Sequence, residues 1–136
     1  VCLTVDDAVA VAGLVRALVR TCHAEALDGS PPSQPRAELI RMAIWRAARY
    51  GLEDKLIDVM GERSVAAPDM VETLLGFLRP ALEEHGEWDT VSELVHQVMQ
   101  RGTGAALQRR AWERGHRLED VVDLVVRSTM PVSALH

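Results

Sequence analysis

The apolar residues of this chain recur at three- and four-residue spacing, in blocks that end at glycine or proline, and that is the pattern of successive amphipathic helices. Val91, Leu94, Val95, Val98 and Met99 lie in register on one block, opened or capped by Asp89, and Gly102 stops it. Val71, Leu74, Leu75, Leu78 and Leu82 mark another, with Pro68 in its first turn and Gly86 at its end. Pro80 lies inside that block and is expected to kink or split the helix. Aromatics are few (Trp45, Trp88, Trp112, Tyr50 and Phe77), so Ala, Val and Leu must fill the core. Such small side chains suit close helix packing better than a broad sheet.

The first helix is announced by Thr4 and Asp7, an N-cap pattern with acids in the first turn. Ala8, Val11, Ala12, Val15, Leu18, Val19 and Cys22 then recur at helical spacing, with Gly13, Arg16, Arg20 and His23 on the other face; Val9, Leu14 and Ala17 widen the apolar surface, so packing on more than one side is expected. Residues 28–35, rich in Gly, Pro and Ser, read as a loop. A second helix is expected over residues 36–50, with Gly51 at its C-cap. Residues 55–66 read as a small hairpin or an extended loop. A fifth helix is expected over residues 105–114, followed by Gly115. A sixth carries Leu118, Val121, Val122 and Val125, with Pro131 beyond its end. Residues 1–5 alternate apolar and polar like the end of a strand. A lone strand needs a partner for its backbone groups, so another chain or an upstream portion is expected to supply one. The predicted fold is all-α: about six helices in one bundle-like region over residues 1–136, with a short N-terminal strand remnant.

A formal net charge of -5 argues against nucleic acid or an anionic membrane as partner. No segment approaches the ~20 apolar residues of a membrane span, and no signal peptide is recognisable, so a cytoplasmic protein is expected. Cys2 and Cys22 read as reduced packing residues, Cys22 on the apolar face. The histidines (His23, His85, His96, His116, His136) show no metal-ligand spacing, and no metal site is expected. No Gly-x-Ser-x-Gly is present.

Two basic groups remain as candidates. Trp45 and Arg49 share a face of the second helix with Arg46 beside it. Guanidiniums next to an indole can hold a carboxylate or phosphate. The alternative is that Trp45 is core and the arginines pair with acids such as Glu38 and Glu53. Gly102-Thr103-Gly104 opens a helix whose free N–H groups could receive an anion, with Gln108, Arg109 and Arg110 downstream. The alternative there is a C-cap followed by an N-cap. Arg109, Arg110, Arg114 and Arg117 together read as a solvated face or as a contact with acids on another domain.

Several stretches, in this order, resemble the C-terminal part of the carboxylate–amine ligases, or type 2 glutamate–cysteine ligases. They are Thr4-Val5-Asp6-Asp7-Ala8 leading into Leu14-Val15-Arg16-Ala17-Leu18, and Trp45-Arg46-Ala47-Ala48-Arg49-Tyr50-Gly51-Leu52 with Leu56-Ile57-Asp58. Leu78-Arg79-Pro80-Ala81-Leu82 follows, then Arg101-Gly102-Thr103-Gly104-Ala105 with Gln108-Arg109. The resemblance implies a glutamine-synthetase-like α+β catalytic fold, of which this chain would be the helical C-terminal part. It implies ATP and Mg²⁺ in the complete enzyme, with glutamate and an amine such as that of cysteine as substrates. The metal-binding acids would lie on a sheet in an N-terminal portion absent from this chain, so no activity is expected from it alone. Trp45, Arg46, Arg49, Gln108 and Arg109 are the substrate- or phosphate-binding candidates. Met42, Ala43 and Ile44 stand where relatives often have polar residues, and Leu107 where they often have Arg. The competing expectation is a non-catalytic helical module that binds a protein partner through the first helix. A homo-oligomer is compatible with either.

Overall fold

The computed structural model describes residues 2–130. Six helices and one two-stranded sheet are found there: α1 Val5–Leu27, α2 Ala37–Tyr50, β1 Lys55–Asp58, β2 Arg63–Ala66, α3 Ala67–Glu84, α4 Trp88–Arg101, α5 Gly104–Gly115 and α6 Leu118–Thr129. The mostly helical architecture and the hairpin near 55–66 are as expected. The position of Pro131 lies outside the described residues.

The chain divides into two compact units. One takes in residues 2–13 and 90–130, the other residues 14–89. The boundaries fall inside α1 and inside α4.

In the first unit, the start of α1 departs from the expected strand remnant. Residues 2–4 form no strand, and Val1 lies outside the described residues. The Thr4 Oγ1 accepts from the Asp7 N–H (3.1 Å), and the Asp7 carboxylate accepts from the N–H groups of Thr4 (3.1 Å) and Leu3 (2.8 Å). This reciprocal cap takes up the backbone donors that a strand would have offered to a neighbour. The buried residues are Leu3, Ala10, Gly13, Val91, Val95, Gly104, Ala106 and Ala111, with Asp7 and Ser92. Gly13 matters here, because a Cβ on it would lie 2.6 Å from Val91 Cγ2. Between α4 and α5, Gly102 (φ 96°) donates to the Val98 carbonyl, and Thr103 caps α5 by accepting from Ala106 N–H (3.3 Å). α5 ends one residue later than expected. His116, not Gly115, adopts the left-handed conformation (φ 53°) and donates to the Trp112 carbonyl. α6 packs on α5 but has no fully buried residue, and Leu118 and Val122 of its expected inner face are exposed.

In the second unit, α3 runs unbroken past Pro80, with Leu75, Leu78 and Leu82 completely buried on one face. It stops where Glu87 N–H reaches back to the Leu82 carbonyl (2.8 Å), with Gly86 left-handed (φ 66°). The hairpin pairs Lys55 with Ala66 and Asp58 with Arg63, and both α2 and α3 contact it. Its turn is tied by the Asp58 carboxylate, which accepts from the N–H groups of Met60 (3.1 Å) and Gly61 (2.9 Å). The Gly61 N–H, helped by Arg63 and the Met60 N–H, holds the Asp58 carboxyl below its usual range against the opposing effect of desolvation.

The buried strip of α1 is not the one that the apolar spacing marked. Ala10, Gly13 and Ala17 are buried, whereas Val11, Val15, Leu18, Val19 and Cys22 are exposed. The small residues face inward because they allow close backbone approach, as at Gly13 and Val91. The branched side chains would hold a neighbouring helix away.

Candidate functional site

Four residues of α2, spaced by the helical repeat, form its inner strip: Leu39, Ala43, Arg46 and Tyr50. They lie toward β1, the strand that α2 contacts. Arg46 anchors this strip. Its Nε donates to the Lys55 carbonyl (2.6 Å), its Nη2 pairs with Asp54 (2.7 Å), and its guanidinium lies 5.2 Å from the Tyr50 ring centre. The Arg46 side chain is 28% exposed, the lowest value among the arginines whose ion pairs are resolved. The guanidinium of Arg46 therefore holds the helix to the hairpin instead of facing open solvent. Glu38, one of the acids expected beside these arginines, is engaged elsewhere. Asp54 is the acid of Arg46, and Glu38 pairs with Arg41 (3.4 Å).

Trp45 is not core. It is 60% exposed and meets Tyr50 edge-on, with ring centres 6.1 Å apart. Arg49, one turn on, is exposed on the same flank as Trp45 and Met42.

Gln108 and Arg109 belong to the other compact unit. Gln108 is half-buried and Arg109 exposed on α5. The Gly102–Gly104 turn has the geometry of a C-cap followed by an N-cap. Arg110 closes over it by donating from Nη2 to the Arg101 carbonyl (3.2 Å), and a Cβ on Gly102 would collide with that guanidinium. Of the remaining arginines, Arg117 lies 3.8 Å from Glu119. Arg114 and Arg127 border an open groove of about 330 Å³ between α5 and α6, whose other lining residues are Leu107, Ala111, Asp120 and Leu124.

One ion pair had no local signal in the sequence. Arg101, at the end of α4, pairs with Asp7, 94 positions away. Burial works to raise the pKa of Asp7, but the Leu3 N–H, Arg101 and the Thr4 N–H together outweigh it and hold the carboxyl below its usual range. Arg101 Nε is buried without a hydrogen-bond partner.

ATP and Mg²⁺ can be tested against these residues. Among the described residues, no group of three or more His, Cys, Asp or Glu lies together as a metal site would need. The most tightly held carboxylates, Asp7 and Asp58, are already occupied by backbone N–H groups and arginines. Thr103 is spent on its own helix. These residues do not fit a Mg²⁺–nucleotide site.

Residues 1–128 match the sequence profile of glutamate-cysteine ligase family 2 (GCS2). A protein of Frankia casuarinae, provisionally named glutamate–cysteine ligase 2-2, is 44% identical over 131 residues, 96% of this chain and 15% of that protein. Its namesake in Frankia alni is 42% identical over 134 residues, 98% of this chain and 35% of that protein. A Paenarthrobacter aurescens protein, provisionally named glutamate–cysteine ligase 2-1, is 41% identical over 129 residues, 95% of this chain and 34% of that protein. The chain thus spans about a third or less of these curated relatives. No solved structure matches it.

Proposed function

The chain belongs to glutamate-cysteine ligase family 2, and from that premise we propose that it forms the C-terminal helical part of an ATP-dependent carboxylate–amine ligase. The observation that carries this reading is one of proportion: the match takes in nearly the whole chain but only 35% of the Frankia alni relative. In this reading the nucleotide and metal are held by the portion outside the chain. There ATP would pass its γ-phosphoryl group to the γ-carboxyl of glutamate, releasing ADP, and an amine such as that of cysteine would attack the acyl carbon, releasing inorganic phosphate and a proton.

This chain's own residues have narrower tasks. Arg49, exposed beside Trp45, offers a cation for the carboxylate or phosphoryl charge of the substrates. Arg46 is a positioning residue that sets α2 on the hairpin. Gln108 and Arg109, on α5, take either a structural or a substrate-edge role. Arg49 is expected to act only once the remaining portion of the ligase is present, so the chain alone is expected to be inactive.

The test compares this chain, the non-matching portion of the Frankia alni relative, and the two together. ADP release is measured with ATP, Mg²⁺, glutamate and cysteine. Release only from the combined sample supports the reading, and equal release from this chain alone refutes it. A second reading, a non-catalytic interaction module, is favoured by one observation: Val11, Val15 and Val19 are all at least half exposed along α1.

A further inference from the structure

α5 and α6 are joined by only two residues, His116 and Arg117, and pack on each other as an antiparallel pair. The groove of about 330 Å³ between them has Leu107, Ala111 and Leu124 as its apolar lining. Its charged lining lies toward the two ends. Arg114 is one residue short of the end of α5, and Asp120 is in the first turn of α6, so both are near the turn. A Cβ on Gly115 would be 3.1 Å from Asp120 Oδ2, which places that carboxylate beside the turn. Arg127 is seven residues beyond Asp120, about 10 Å along α6, toward the open end. Nearby arginines are engaged: Arg110 donates to the Arg101 carbonyl (3.2 Å), and Arg117 lies 3.8 Å from Glu119. Among the described residues, Arg114, Arg127 and Asp120 form no ion pair or side-chain hydrogen bond.

Two unengaged guanidiniums beside an apolar wall suit a ligand that is anionic at its ends and apolar between them. A plain dicarboxylate would be repelled by Asp120 at the turn. An ammonium beside one of the carboxylates removes that repulsion and gives Asp120 a partner. We propose that the α5–α6 groove binds an α-amino dicarboxylate. Arg114 and Asp120 take the amino-acid end, Arg127 takes the distal carboxylate, and the methylenes lie along Leu107, Ala111 and Leu124. The groove has room for about ten atoms of the size of a water, which limits the ligand to one amino acid. The inference stands on this groove and does not require the ligase reading, whose candidates Trp45 and Arg49 belong to the other unit.

The experiment titrates this chain by calorimetry with three probes: L-α-aminoadipate, adipate, which lacks the ammonium, and L-norleucine, which lacks the distal carboxylate. Circular dichroism checks that each variant keeps its helices. α-Aminoadipate should bind saturably and about tenfold or more tighter than either analogue, the scale of one charge-assisted hydrogen bond. Arg127→Gln should bring α-aminoadipate down to the level of norleucine and leave norleucine unchanged. Asp120→Asn should weaken α-aminoadipate and strengthen adipate, an inversion that a loss of fold could not produce. Should a variant lose its helices, the unaltered chain decides through its methyl resonances. Those of Leu107, Ala111 and Leu124 should shift on adding α-aminoadipate, and shifts confined to other residues overturn the proposal. Absence of saturable binding by α-aminoadipate also overturns it, as does equal affinity for all three probes. Binding that Arg49→Gln removes and Arg127→Gln leaves intact would move the site to α2 and overturn it too. ADP release by the combined sample is scored separately. Groove binding without ADP release removes the ligase reading alone, and ADP release without groove binding removes this proposal alone.

Discussion

The Asp7 carboxylate accepts two backbone hydrogen bonds at the start of α1 and pairs with Arg101 at the end of α4. Thr4 and Asp7 are legible as a cap because the partners are three residues apart. The Arg101 pair is not, because 94 positions separate it from Asp7 and no local pattern reports it. Arg46 and Arg49 look equivalent in the sequence, yet one grips Asp54 and Lys55 while the other stays on the surface. Asp7 yields a pH prediction. Its folded carboxyl is held below the ordinary value of 3.8, so its stabilisation is complete above that value and is lost as pH falls through the lowered one. Asp7→Asn should cost about 1–3 kcal/mol at neutral pH, the scale of a hydrogen bond to a charged group. In strong acid, urea unfolding should find the two proteins nearly alike. A deficit that persists undiminished in acid would place the effect elsewhere than in the charge.

Helix existence and helix ends were well marked in the sequence. Gly51, Gly86, Gly102 and Thr103 act at or beside the ends where the pattern put them, because caps and left-handed turns depend on neighbouring residues alone. Which face turns inward was not marked. In α1 the valine-rich face has the better apolar pattern, yet the strip of Ala10, Gly13 and Ala17 is buried. A pattern identifies apolar faces but does not say which neighbour covers them. Gly13→Ala tests the close approach. Helix propensity alone would make it stabilising by about 1 kcal/mol. The stiff Val91 side chain, 2.6 Å from the new Cβ, should reverse that sign and leave a net loss of about 1–2 kcal/mol. Denaturant unfolding of Gly13→Ala, alone and combined with Val91→Ala, checks it. A stabilised Gly13→Ala would show that the approach is looser than the structure has it.

Across the described residues, long apolar runs lie exposed on several helices. Val5, Val9, Val11, Val15, Leu18 and Val19 on α1, Ile44 and Trp45 on α2, and Leu118, Val122 and Val126 on α6 are all exposed. Scattered apolar residues are ordinary on a surface, whereas runs along three helices are the kind of surface that a partner or a dye can bind. No helix among the described residues is long and apolar enough to cross a membrane. The folded chain should therefore brighten an apolar-surface dye. Val15→Lys and Val19→Lys should dim the signal without lowering the melting temperature, since neither side chain is buried. A folded chain that leaves the dye dark would contradict the exposed face of α1.

Local order in this protein follows from neighbours along the chain. The run of helices, the hairpin at 55–66, the caps and the family motifs could all be read from residues a few positions apart, because helical hydrogen bonds and turn conformations act over that range. The inward face of α1, the Asp7–Arg101 pair and the unequal roles of Arg46 and Arg49 arise from contacts between separate elements. Those contacts follow from how closely backbones approach and which charges meet after folding, and no pattern of adjacent residues encodes that geometry.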